Sequence, residues 1–341
     1  MREPVSGRSY TVVKVETASG LAGYGETAQA AGAEVALAAR AVRGRQATEY
    51  EVLRRELAAL PFLAAAVNMA LLDIVGKFAK APVYQVLGGP TRFKARALAP
   101  LAGATDDALV SDCRRARDAG FRAFLVPAPA AKSPNQGQSF VLAAKRRLEA
   151  LRAETGEEMD FVLDAAGLLT PGDASMLSAA LERFHLLWFD EPCAGTSLGA
   201  AKKIAAERVT PLGFGRNIRR GSEFQDLLRE EAIDILRPDI GASGISGIRR
   251  MAAIAETYYV AVAPYHDGGP VATAAALHLA ASLPNFFIQQ IPLPAAGQDR
   301  LMRAEIAGAG LETVKDGFAA LPSGPGLGIT VNEAALERYK A

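Results

Sequence analysis

The sequence predicts an α/β protein built on a closed parallel β/α barrel, and three observations lead there. Eight short apolar runs, at 96–100, 121–126, 160–164, 186–190, 210–213, 233–237, 258–263 and 286–290, alternate with seven helical patterns, at 105–118, 137–154, 171–183, 197–207, 222–231, 245–256 and 270–282. The central runs stop abruptly at a polar residue: F-V-L-D at Asp164, L-L-W-F-D at Asp190, and L-G-F-G with Arg216 just beyond. These three residues are evenly spaced, 26 positions apart in each case. Sequential parallel strands joined by helical crossovers are the simplest topology for such a pattern. A polar residue at the C-terminal end of each strand places the functional site at that rim.

The composition suits this fold and excludes several functions. The chain has 341 residues, long enough for a large core and two structural units, with 50% hydrophobic and 22% charged residues. A formal net charge of +1 gives no electrostatic case for nucleic acid or an anionic membrane. Cys113 and Cys193 form no metal or disulfide pattern and read as buried thiols. No apolar run approaches the ~20 residues of a membrane span. Met1-Arg2-Glu3-Pro4 does not read as a signal peptide, so a cytoplasmic protein is the default expectation.

Ahead of the barrel, residues 9–27 read as a β-hairpin turning at Ser19-Gly20. A helix is expected over 48–60, with Thr48 and Glu51 as a capping box. A second helix, 63–80, is apolar around its circumference and should be buried. Asp73 within it reads as a partnered buried carboxylate. Leu87-Gly88-Gly89-Pro90 marks the break before the barrel. After the eighth strand, the stretch from Gly324 through Pro325 and Gly326 to Gly328 is too rich in glycine and proline for a barrel helix. This tail is expected to return and pack elsewhere.

The stretches G-L-A-G-Y-G-E, A-L-L-D-I-V-G-K, V-Y-Q-V-L-G-G, W-F-D-E-P, D-I-L-R-P-D-I-G-A-S-G-I-S, A-A-A-L-H-L-A-A-S-L-P-N-F and D-G-F-A-A-L-P-S-G-P-G-L-G carry a likeness that spans nearly the whole chain. The chain resembles a divergent member of the mandelate racemase/muconate lactonizing enzyme family of the enolase superfamily. The resemblance implies a modified TIM barrel, (β/α)7β, over about 93–304. It also implies an α+β capping domain built from 1–92 and about 305–341. By the family's pattern, the usual first strand and much of the capping loop that helps set substrate choice are expected to be missing. Family members hold Mg²⁺ with three acidic residues at the ends of consecutive strands. The metal holds a substrate carboxylate while a side chain removes the α-proton. That proton is very weakly acidic, so the developing dianion needs nearby cations and a base within hydrogen-bond reach.

Carried over residue by residue, the resemblance places Asp164 at the first metal-ligand position and Asp190 at the second, where glutamate is usual. Ala166 stands where the family usually has asparagine. Arg216 stands at the third ligand position, followed by a matching Asn217. Guanidinium is always charged and has no lone pair for a metal, so Arg216 is expected to pair with Asp164 and Asp190 in the metal's place, the alternative being an arginine swung out to solvent. Glu191 reads as a structural ion-pair partner. Leu125 and Pro127 stand where the base lysines of a K-x-K motif would be. Asp239 matches the aspartate of an Asp–His base. Its histidine falls one position late, at His266, with Tyr265 in the expected place. Gln290 stands where an electrophilic glutamate is common. His185 and His278 read as structural.

Three readings follow. The first is a divergent member in which Mg²⁺-assisted proton abstraction is impaired or lost, with Arg216, Asn217 and Gln290 contacting a small carboxylate. The second is an active Mg²⁺-dependent acid-sugar dehydratase or racemase, an isomerase or lyase using a His266–Asp239 base. The third is a non-catalytic structural or carboxylate-binding protein. Barrels of this family are often oligomeric, so a homo-oligomer is also an expectation.

Overall fold

A computed structural model describes residues 1–28, 30–131, 133–195, 197–218 and 221–340. The chain opens with an antiparallel hairpin, β1 (Tyr10–Glu16) and β2 (Ala22–Ala28), in which Tyr10 pairs with Ala28 and Glu16 with Ala22. Helices α1 (Gly32–Val42), α2 (Tyr50–Glu56), α3 (Pro61–Phe78) and the short α4 (Val83–Val86) follow. The sequence reading left α1 unassigned. It also misplaced the cap of α2. A 3₁₀ turn at 47–49 precedes that helix, and Glu49 reaches back to accept the Gln46 N–H at 2.9 Å. The helix stops at Glu56, before Pro61 starts α3.

α3 is 18 residues long and, by length and composition alone, apolar enough to cross a membrane. That corrects the expectation that no run comes close, although most of the helix is buried inside the protein. It packs on β2 at unusually close range. A Cβ on Gly25 would lie 1.8 Å from the Ala66 carbonyl oxygen, so only glycine permits this approach. The buried carboxylate and the buried amide of α3 join neighbouring parts. Asp73 accepts from the N–H groups of Tyr24 and Leu327 and from Lys77 Nζ, at 2.8–3.0 Å. Asn68 pairs with the backbone and hydroxyl of Ser246.

The barrel strands are β3 (Lys94–Pro100), β4 (Ala123–Pro127), β5 (Asp160–Asp164), β6 (Trp188–Asp190), β7 (Leu212–Phe214), β8 (Ile235–Leu236), β9 (Ala261–Val262) and β10 (Gln289–Gln290). The helices between them are α5 (Asp106–Asp118), α6 (Gln138–Thr155), α7 (Pro171–Leu181), α8 (Leu198–Ala206), α9 (Gly221–Arg229), α10 (Ile240–Glu256) and α11 (Pro270–Ser282). Neighbouring strands pair in parallel from β3 to β9. A bridge between Val262 and Phe286 and the β10–β3 pair close the ring. Leu98, Leu125, Val162, Trp188, Ile235 and Ile288 fill its interior.

The later strands are shorter than their apolar runs. Residues 257–259 finish the turn after α10, with Tyr259 at φ +56° and 99% exposed, so the ladder begins only at Ala261. α10 starts five residues earlier than expected. Asp239 caps it through the Gly241 N–H at 2.9 Å, and the helix kinks at Gly244.

After α12 (Gly297–Ala307), strands β11 (Val314–Lys315) and β12 (Phe318–Ala320) form a second hairpin, and the chain ends in α13 (Glu333–Arg338). β12 pairs antiparallel with β3. Gly326 O accepts the Val83 N–H, and Glu333 bonds Lys14 and Tyr24, so the tail packs against the N-terminal part.

Candidate functional site

The ladder sets the site's geometry. Pro127 pairs with Asp164, Asp164 with Asp190, and Asp190 with Gly213, so the strand ends stand side by side at the C-terminal rim. Gly213 is needed there: a Cβ would lie 2.5 Å from the Trp188 ring and 2.8 Å from Asp190 Oδ1. Its absence lets Trp188 Nε1 donate to Asp190 Oδ1 at 2.8 Å.

Arg216 Nη2 donates to Asp164 Oδ2 at 2.7 Å and to Asp190 Oδ2 at 3.0 Å. The other oxygens are also engaged. Asp164 Oδ1 accepts the Ala166 N–H at 2.8 Å, with Ala166 held at φ +53°. Asp190 Oδ1 also accepts from Arg237 Nε at 3.0 Å. Arg237, fully buried, also donates from Nη1 to Ala263 O at 2.6 Å and from Nη2 to Gln290 Oε1 at 2.9 Å. Gln290 Nε2 in turn donates to His266 O at 2.8 Å. The floor thus sets two aspartates against two guanidiniums, with the Tyr265 ring 4.4 Å from the Arg216 guanidinium carbon.

Burial and then the Asp190 charge push the Asp164 carboxyl above its usual range, while Arg216 pulls the other way. Burial opposes the charge on Arg216, but Asp190 and Asp164 outweigh it and hold its pKa above the ordinary value. Burial, followed by Asp267, raises the Tyr265 phenol. Glu191 accepts the N–H groups of Gly215 and Arg216, both at 2.7 Å. Burial and then Asp190 push it up to about 7.

These residues do not fit Mg²⁺. That ion requires oxygen ligands at roughly 2.0–2.1 Å in octahedral array. Here all four carboxylate oxygens of Asp164 and Asp190 are engaged, and a fixed cation lies within hydrogen-bond distance of both groups. Among the described residues, no group of three or more His, Cys, Asp or Glu side chains is arranged to hold a metal ion.

A cavity of about 400 Å³ opens above this floor, touching Asp164, Arg216, Tyr265 and Gln290 from the predicted set, with Leu125 and Pro127 in its wall. Asn217 is exposed and is not part of the lining. His266 and Asp239 lie outside this lining and border a second cavity of about 260 Å³. His266 is buried, its Nδ1 accepts the Gly268 N–H at 3.3 Å, and its Nε2 meets Thr273 Oγ1 at 2.8 Å. Both ring nitrogens are therefore committed, and Asp239 caps α10. The alternation of the strand end explains this: Tyr265 takes the direction of the cavity, and the next residue turns away. His185 is exposed in a left-handed turn, not on a buried strand, whereas His278 is buried and stacks on Tyr84. Cys113 and Cys193 are free and buried.

Sequence reasoning missed Arg237 and the N-terminal segment. The signal for Arg237 was a lone arginine in the apolar run D-I-L-R-P-D, which must find partners when buried. Glu3, Val5, Ser6 and Arg8 form one side of the cavity. Asp299 accepts the Val5 and Ser6 N–H groups, and Arg8 pairs with Asp267 at 2.6 Å.

Two family models match the chain: the mandelate racemase/muconate lactonizing enzyme N-terminal domain over residues 2–88, and the enolase C-terminal domain-like model over 108–335. The chain is 30% identical over 378 aligned residues to a D-galactonate dehydratase family member of Streptomyces bingchenggensis (strain BCW-1), covering 98% of this chain and 90% of that protein. It is 33% identical over 286 residues to a D-galactonate dehydratase of Verminephrobacter eiseniae (strain EF01-2), covering 81% and 73%. Among solved structures, a mandelate racemase/muconate lactonizing enzyme from Jannaschia sp. CCS1 superposes with a TM-score of 0.88 at 25% identity, covering 100% of this chain and 95% of that one.

Proposed function

The chain belongs to the mandelate racemase/muconate lactonizing enzyme family of the enolase superfamily, and from its altered site we propose that it binds a small carboxylate at the barrel mouth without Mg²⁺-assisted α-proton abstraction. Members of the superfamily generally use Mg²⁺. The observation that carries this reading is the Arg216 guanidinium bridging Asp164 and Asp190. It supplies one fixed charge where the family's chemistry needs a divalent ion with open coordination positions.

Proton transfer is affected as well. Leu125 and Pro127 have no basic group, Tyr265 is held neutral, and His266 faces away. Support for a carboxylate ligand comes from three arginines, Arg8, Arg115 and Arg216, that converge on one cavity. Each is paired with an aspartate, so an incoming carboxylate competes with an existing ion pair and modest affinity is expected.

A second reading is dehydration of an acid sugar, favoured by relatives named D-galactonate dehydratase. One experiment separates the two. Protein treated with a chelator is titrated calorimetrically with small carboxylates, then assayed with D-galactonate in millimolar Mg²⁺. The proposal expects saturable carboxylate binding without metal and no turnover. Dehydration of D-galactonate that depends on Mg²⁺ would establish the second reading in its place.

A further inference from the structure

We infer that the ligand of this cavity is a carboxylate with an apolar body, aliphatic or aromatic, rather than a polyhydroxylated acid. The inference deepens the carboxylate-binding reading and rests on it.

The walls carry the argument. Pro100 ends β3, Leu125 lies within β4 and Pro127 ends it, and Pro292 and Leu293 follow β10. None of these side chains donates or accepts a hydrogen bond, and the prolines have no N–H. Four backbone acceptors beside them already have donors. Leu125 O accepts the Leu101 N–H at 2.9 Å, and Pro127 O accepts Arg147 Nη1 at 2.6 Å. Leu293 O accepts Arg115 Nη2 at 2.9 Å, and Pro294 O accepts Arg300 Nη1 at 2.7 Å.

Three polar side chains of the lining are similarly committed. Asp112 bonds Arg115 and the Ala102 N–H, Asp299 holds the N-terminal segment, and Gln290 is bonded at both ends of its amide. A polyhydroxylated body entering here would lose water at each hydroxyl and gain few partners. A hydrocarbon body loses nothing of the kind and gains apolar burial. At about 400 Å³ the cavity suits a small acid.

The test is calorimetric titration of metal-free protein with phenylacetate, D-galactonate and phenylacetamide. The expected result is phenylacetate binding at least tenfold tighter than either of the others. Equal or tighter binding of D-galactonate overturns the inference and leaves the carboxylate reading standing. Equal binding of phenylacetamide overturns the carboxylate reading and the inference with it. No binding by any of the three overturns both. Leu293→Asn and the surface change Val5→Ser each place a polar group in the wall. Either variant is expected to narrow the phenylacetate preference at least threefold with its thermal unfolding retained. An unchanged preference in both contradicts the assignment of these walls to the ligand's body.

Discussion

Arg216 Nη2 reaches Asp164 and Asp190 at 2.7 and 3.0 Å, and this contact decides what the two aspartates can do. All three residues were legible in the sequence because each stands at the end of an apolar run, where the strand's periodicity fixes its direction. Arg237 was not, since a basic residue inside such a run reads as a boundary until its partners are seen. His266 belongs to the same scale. Burial, then the charges of Arg303 and Arg8, hold its imidazole down to about 3. A group whose folded pKa lies below its unfolded value of 6.5 stabilises the fold above pH 6.5, and that stability is lost as pH falls towards 3. The loss is on the order of 5 kcal/mol at most over the whole window. Imidazole NMR shifts should therefore show His266 neutral at pH 5. A midpoint between pH 6 and 7 would mean that the ring is accessible and would restore it as a base candidate.

At the scale of elements, Gly25 sets the distance between β2 and α3. Gly25→Ala should cost about 1–3 kcal/mol or more by overpacking, read as a lower urea midpoint. A variant as stable as wild type would show that the hairpin slides freely over the helix. Seven helices and eight strands of the barrel were legible because their hydrophobic periods differ and repeat. The errors have local causes. α1 was passed over although G-A-E-V-A-L-A-A-R-A-V is rich in helix-forming alanine. The strand expected at 258–263 begins late because Tyr259 completes a left-handed turn that its residue type does not announce.

Across the whole molecule, the contacts that finish the cavity join residues nearly 300 positions apart. Val5 and Ser6 donate to Asp299, and Glu3 pairs with the buried Arg303 at 3.0 Å. No local pattern encodes such pairs, so the sequence reading located the barrel mouth but not the segment that covers it. Asp299→Ala removes a buried acceptor shared by two N–H groups, at a cost of about 1–3 kcal/mol. Hydrogen exchange at Val5 and Ser6 should accelerate while the barrel strands stay protected. Unchanged exchange would mean that the segment is held elsewhere.

The proposed replacement of metal by guanidinium unites the three scales, and Mg²⁺ titration followed by thermal unfolding tests it most directly. A ligand bound only by the folded state must raise the unfolding temperature. Wild type should show no saturable rise at millimolar Mg²⁺, whereas Arg216→Glu, which restores a third carboxylate, should start less stable and gain one. A saturable Mg²⁺-dependent rise in the wild-type protein would contradict the account.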